Sequence, residues 1–261
     1  MENPNNLSTN YIISTLYQKE VIYFTIQTLA DIFNIDSRKA SQVALSLKNK
    51  NFIQEIEKGK YLLLGFEPER VLSNPFFIAI QIVKPAYISF RSALHHYGLT
   101  EQVPFTVYVA ATKKKKTVSF EGYHYKYILL SPHKFFGYER ILIGDLPVLM
   151  ADKEKALIDS FDQLRYAGGL PEAAKALFNA KDEINPQRLI DYAIKMKNKS
   201  LCSRLGFLLE KYQVETGELE KSQSNSFIRF DPRKPQSKNW NRKWQLDVNI
   251  ADQELFSWQK S

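Results

Sequence analysis

Thr25-Ile26-Gln27-Thr28-Leu29-Ala30-Asp31-Ile32-Phe33, then Asn34-Ile35-Asp36-Ser37, then Arg38 to Leu64: the reading of this stretch decides the fold. Thr25 stands where a helix N-cap belongs, ahead of Ile26, Leu29, Ala30 and Phe33, which form one apolar stripe at helical spacing. Asn34 to Ser37 has turn and capping chemistry, and the helix after it sets Ala40, Val43, Ala44 and Leu47 at i, i+3, i+4 and i+7, an inward face. At about 100° per residue the opposite face holds Arg38, Gln42, Leu45 and Asn49, with Ser41 at its edge. The helix ends in Lys48-Asn49-Lys50-Asn51, where Asn51 can take the left-handed cap conformation. Phe52-Ile53-Gln54-Glu55-Ile56, the turn Glu57-Lys58-Gly59-Lys60 and Tyr61-Leu62-Leu63-Leu64 predict a β-hairpin.

Upstream, Leu7, Tyr11, Ile13, Leu16 and Tyr17 predict a first helix, and Val21-Ile22-Tyr23-Phe24 is short and β-prone. Helix, strand, helix, turn, helix, hairpin is the order of a winged helix-turn-helix, whose third helix enters the major groove while its hairpin lies along the backbone. Residues 1–65 are therefore expected to bind DNA, with Arg38, Ser41, Gln42 and Asn49 at base edges and Lys39, Lys48, Lys50, Lys58 and Lys60 at phosphates. The same architecture also serves protein contacts, so an interaction adaptor is the plainer alternative.

Residues 66–261 predict a larger mixed α+β domain, giving an α+β chain of two domains. Phe66-Glu67-Pro68-Glu69-Arg70 reads as a connector and Ser73-Asn74-Pro75 as a turn. Ser89 is placed to cap a helix running to His95-His96-Tyr97, with Gly98 ending it. Val107 to Ala110 and the alternating Tyr123, Tyr125 and Tyr127 predict strands, the tyrosines forming one aromatic, core-facing row. A strand pair, Arg140 to Ile143 and Leu146 to Leu149, precedes Asp152, a cap for a helix carrying Ala156, Leu157, Ile158 and Phe161. Helices are expected over 172–180, 186–197 and 201–214, and two late strands near 226–230 and 244–248 flank a basic loop.

Among the 261 residues, 36 Lys and Arg against 28 Asp and Glu give a net charge of +8, unevenly distributed. Residues 1–65 hold 7 basic against 6 acidic groups, whereas 111–140 hold 7 against 2 and 221–243 hold 7 against 1. Such a surplus favours anionic partners. Residues 1–65 alone contribute too little for tight phosphate neutralisation. Lys113, Lys114, Lys115 and Lys116, with Arg229, Arg233, Lys234, Lys238, Arg242 and Lys243, are therefore expected to extend a basic surface beyond the first domain. A solvated loop is the bland reading of the same lysines.

A hydrophobic content of 44% with 10 Gly and 11 Pro supports packed cores. The single cysteine, Cys202, excludes an internal disulfide and a cysteine-based zinc or iron–sulfur site. Met1-Glu2-Asn3-Pro4-Asn5-Asn6 lacks a basic or apolar leader pattern, and the longest apolar run, Phe76 to Ile80, is far short of a membrane span; a cytoplasmic protein is expected.

Enzymatic signatures are missing: no P-loop, no Gly-x-Gly-x-x-Gly, no Gly-x-Ser-x-Gly elbow and no His-Glu-x-x-His helix. Adjacent His95 and His96 point apart on a helix and suit no shared metal, and no cofactor is expected. Asp152, Glu154, Lys155 and Asp159 resemble a metal-nuclease cluster, which keeps a nucleic-acid-processing enzyme as an alternative. Their adjacency lacks strand alternation, so capping and helix-surface charge account for them better.

Tyr87-Ile88-Ser89-Phe90-Arg91-Ser92-Ala93-Leu94-His95-His96-Tyr97-Gly98-Leu99-Thr100-Glu101-Gln102-Val103-Pro104, followed by Val107-Tyr108-Val109-Ala110, resembles the core block of AbiEi-type antitoxins of type IV toxin–antitoxin systems. Val148-Leu149-Met150-Ala151-Asp152-Lys153-Glu154-Lys155-Ala156-Leu157-Ile158-Asp159 with Gly168-Gly169, the tail Asp231-Pro232 and Asn241 to Asn249, and Gly59-Lys60-Tyr61 in the wing are similar to that family as well. The resemblance implies a transcriptional autorepressor that binds double-stranded operator DNA and counters a nucleotidyltransferase-like toxin without a stable complex. Such a toxin would show a Gly-Ser turn before Asp-x-Asp, and this chain has neither.

Overall fold

The computed structural model describes residues 7–101 and 105–260; Met1 to Asn6, and Gln102-Val103-Pro104 at the end of the first resemblance block, lie outside the described residues. The chain is mixed α+β. Its first elements are α1 (Thr9–Gln18), β1 (Tyr23–Thr25), α2 (Ile26–Phe33), α3 (Ser37–Asn49), β2 (Ile53–Glu57) and β3 (Lys60–Leu63). The three strands form an antiparallel sheet in the order β1-β3-β2.

Local chemistry sets these boundaries. Thr25 and Thr28 form a reciprocal capping box at the start of α2, and Asn34 closes that helix in the left-handed conformation. Asp36 caps α3 by accepting from the Lys39 amide at 2.9 Å. Asn51 (φ +58°) turns the chain from α3 into β2. Ile12, Ile13 and Leu16 of α1, Leu29 and Phe33 of α2, Ala40, Ala44 and Leu47 of α3, and Phe24, Ile53 and Leu63 of the sheet close a small core. The α1 stripe differs from expectation: Ile12 takes an inward place, while Tyr11 and Tyr17 stay substantially exposed.

The chain continues through α4 (Pro68–Leu72), α5 (Pro75–Ile82), β4 (Ala86–Ile88), α6 (Phe90–His96), β5 (Thr106–Ala111), β6 (Val118–Phe120), β7 (Tyr123–Leu129), β8 (Tyr138–Ile143) and β9 (Leu146–Ala151). Then come α7 (Lys153–Asp162), α8 (Leu170–Ala180), α9 (Pro186–Lys195), α10 (Lys199–Lys211), β10 (Ile228–Arg229), β11 (Trp240–Asn241), β12 (Leu246–Asp247) and α11 (Asp252–Leu255). A six-stranded sheet runs β6-β7-β5-β4-β9-β8, with β5–β7 and β4–β9 parallel and its other pairings antiparallel. The tail forms a small sheet, β10-β12-β11, rather than two strands.

The expected connector is helical from Pro68 onward, and the expected turn at Ser73-Asn74 separates that helix from α5. Pro68 starts α4 at a position where its missing N–H costs nothing, and Asn74 caps α5 by accepting from the Phe77 amide at 2.9 Å. Phe76 to Ile80 thus lies in a helix whose inner part is almost wholly buried, which is why it shows no polar face. On one face of the large sheet Tyr125 and Tyr127 are buried, Tyr127 donating to the Ala79 carbonyl of α5 at 2.8 Å. Tyr108 and Lys126, paired across β5 and β7, instead meet Tyr166.

No helix among the described residues is long and apolar enough to cross a membrane.

Candidate nucleic-acid interface

Helix α3 turns Ala40, Ala44 and Leu47 into the small core, and this fixes what it presents outward. Arg38, Ser41, Gln42 and Asn49 are all exposed, with Leu45 at 60% among them. Arg38, Gln42 and Asn49 have no side-chain hydrogen bond among the described residues, whereas the Ser41 hydroxyl turns back onto the Ser37 carbonyl at 2.8 Å. The exposed face therefore offers one guanidinium and two amides without internal partners.

The basic residues nearby divide into paired and unpaired. Lys48 donates to Glu55 at 3.0 Å, and Lys50 reaches the Thr9 hydroxyl at 3.2 Å. Lys60 lies 3.6 Å from Glu57, while Lys58 is exposed at the hairpin tip. Gly59, at φ +70°, makes that two-residue turn possible and donates its amide to Glu55 at 2.9 Å.

Glu57 is the junction that sequence reasoning missed. It accepts from the Tyr23 hydroxyl and from Lys115, each at 2.5 Å, so one carboxylate ties β1 and the hairpin to the Lys113–Lys116 loop between β5 and β6. Burial works against its charge, but the Lys115 and Tyr23 hydrogen bonds and nearby Lys60 outweigh it and hold its pKa below the ordinary carboxylate value. Gln54 adds a 2.6 Å bond to Glu121, and Ile56, Leu62 and Leu64 pack into the larger core. These partners stand 34 to 67 residues apart, and no local pattern announces them. Lys113, Lys114 and Lys116 remain exposed beside the hairpin; Lys115, its cation engaged, does not join them.

The second basic island lies on the tail sheet and is largely neutralised. Arg233 pairs with buried Asp231, Lys234 with Glu254 at 2.5 Å, and Lys243 with Glu210 at 2.9 Å. Arg229 donates to the Lys234 carbonyl at 3.0 Å, leaving Lys238 and Arg242 exposed. No ion pair or hydrogen bond joins this island to the Lys113–Lys116 loop among the described residues.

The acidic cluster is built inward, a correction to the helix-surface reading. Asp152 caps α7 through the Lys155 amide at 2.7 Å and accepts from Tyr192. Glu154, buried, accepts from the Asn185 amide at 2.7 Å and Arg188 at 3.0 Å. Lys155 and Asp159 form a fully buried ion pair, and Asp159 also accepts from the Ser89 and Tyr87 hydroxyls at 2.7 and 3.1 Å. Ser89 thus sits at the N-cap position of α6 without capping it, because its hydroxyl serves Asp159. Each of these carboxylates is occupied by protein groups. Cys202 is buried against the Ala193 carbonyl, and burial pushes its thiol up to about 11, away from nucleophilic use.

No family model matches the chain, and no curated protein matches it in sequence. Among solved structures, the Rv2827c protein from Mycobacterium tuberculosis superposes with a TM-score of 0.59 over 98% of this chain and 96% of that one. The two are 13% identical, and what they share is the fold.

Proposed function

We propose that residues 1–65 are a winged helix-turn-helix that reads double-stranded DNA, and that the chain is an AbiEi-like autorepressor and antitoxin acting against a nucleotidyltransferase-like toxin. The observation that carries the DNA reading is the α3 face: Arg38 and Gln42 stand exposed and internally unbonded on a helix whose other side is locked into a core. Side chains of these types make bidentate contacts to guanine and adenine edges in the major groove. Lys58 and Lys39 are the phosphate contacts of the wing and of the first turn of α3, and Lys113, Lys114 and Lys116 continue the backbone grip past the hairpin. The antitoxin role rests on the sequence resemblance. Titrating the chain against DNA from upstream of its own gene, in a gel shift at fixed salt, tests the first claim. Saturable, sequence-preferring binding that Arg38→Ala weakens and makes less selective is the expected result; indifference to that substitution overturns the groove assignment. Co-expression with the neighbouring reading frame tests the second, growth rescue being the expected outcome.

A further inference from the structure

A cleft of about 700 Å³ opens between the N-terminal unit and the large sheet, and nothing in the DNA reading uses it. Tyr17, Glu20 and Ile22 supply one wall from the N-terminal side. Phe77, Pro147 and Leu149 give the other side an apolar surface. Around it stand three cations, Arg70, Lys84 and Arg140. Arg70 is tied to Asp145 at 2.6 Å, but Lys84 and Arg140 are exposed and have no ion-pair partner among the described residues. Among the described residues, Glu20 is the one acidic group lining the cleft, leaving its charge balance positive.

The volume lies within the range of pockets that hold small organic molecules, which are mainly apolar with a few polar groups fixing orientation. An apolar lining that includes two exposed cations without ion-pair partners among the described residues selects for an apolar body bearing a negative head. We propose that this cleft binds a small amphipathic anion, a carboxylate on an acyl chain or on a fused aromatic ring, with its head at Lys84 and Arg140 and its body against Phe77, Pro147 and Leu149. Because the walls come from both sides of the junction, the bound ligand bridges the N-terminal unit and the large sheet. Occupancy stabilises that arrangement by an amount that grows with the logarithm of ligand concentration over its dissociation constant.

The test is calorimetric titration of the full chain with decanoate and with 2-naphthoate, with decanol as the uncharged control. One-to-one saturable binding of at least one acid is expected, the arm that binds telling an acyl ligand from an aromatic one. Decanol should bind at least about tenfold more weakly than decanoate if the acyl arm binds. Charge reversal in a Lys84→Glu, Arg140→Glu double variant should weaken the acid about tenfold or more. Gln81→Trp, which fills the cleft from its partly buried rim, should abolish binding while thermal unfolding confirms that both variants fold. Failure of both acids to saturate, or equal affinity for the folded variants, overturns the proposal. Neither result bears on operator binding, which is read separately.

Discussion

Polar side chains are treated in opposite ways in two regions of this molecule. On α3, helix packing consumes only apolar residues and leaves Arg38, Gln42 and Asn49 facing water with no internal partners among the described residues. Within the larger core, α7 turns Glu154, Lys155 and Asp159 inward, and each finds its partner within the protein. The first arrangement keeps hydrogen-bonding capacity available for something outside the chain. The second fixes β4, α6, α7 and α9 relative to one another, since Tyr87 and Ser89 on one side and Arg188 on the other converge on the same helix. Charge in the sequence thus has no single meaning here; whether it binds or braces depends on what covers it.

The comparison breaks most sharply at Lys155. Lys155→Met leaves Asp159 buried beside two hydroxyls and no cation, and removal of one partner from a buried pair costs about 3–5 kcal/mol. Urea unfolding should show that loss, whereas a Lys155→Met, Asp159→Leu double variant should recover much of it. Burial already raises the Asp159 pKa despite Lys155. An acid whose folded pKa lies above its unfolded value disfavours folding once ionised, so the deficit of the single variant should shrink as pH falls and Asp159 takes up its proton. A deficit independent of pH would point to lost packing against Phe136 and Met196 instead.

Arg38 marks the other pole. Arg38→Ala should leave unfolding unchanged, because the side chain has no described partner, yet cost about 1–3 kcal/mol at the operator and relax base preference. Gln42→Ala should behave alike at a different base pair. Loss of stability without loss of sequence preference would place both residues among the bracing groups.

One side of this contrast is legible in the sequence and the other is not. Thr25, Asp36, Asn51 and Asp152 act as caps where their local sequence puts them, because capping is a matter of three or four residues. The buried and exposed faces of α3 follow from its periodicity. Glu154, Lys155 and Asp159 read as surface charge in the sequence, since burial of three ionic groups on one helix depends on Ser89, Asn185 and Arg188 arriving from elsewhere. Helix α5 carried no periodic signal because core surrounds it. Lys115 looked equivalent to its three neighbours; only the hairpin's approach separates it from them.

A smaller effect sharpens the DNA side. Lys58, exposed at the hairpin tip, should contact phosphate without reading bases. Lys58→Ala should weaken every sequence similarly and flatten the log–log salt dependence by about one charge. Lys60→Ala is expected to do less, since its ammonium already shares Glu57.

The smallest effect lies where the two regions meet. Glu57 joins the hairpin to Lys115 and is only partly buried, so the pair is worth about 1 kcal/mol or less. Its carboxyl titrates below the ordinary value of 4.5 in the folded chain. A depressed folded pKa adds stability that is fully present above the unfolded value and disappears as pH falls through the folded one. Glu57→Gln should therefore be slightly less stable than the parent chain at neutral pH, and the gap should close on acidification past that range. Tyr23→Phe removes one hydrogen bond but no charge, so the Glu57→Gln gap measured on that background should still close with pH. If the gap instead persists in acid, Glu57 holds the junction by shape and hydrogen bonding alone. Lys115 would then be no more fixed than Lys113, Lys114 and Lys116, and all four lysines would count toward the salt dependence of DNA binding.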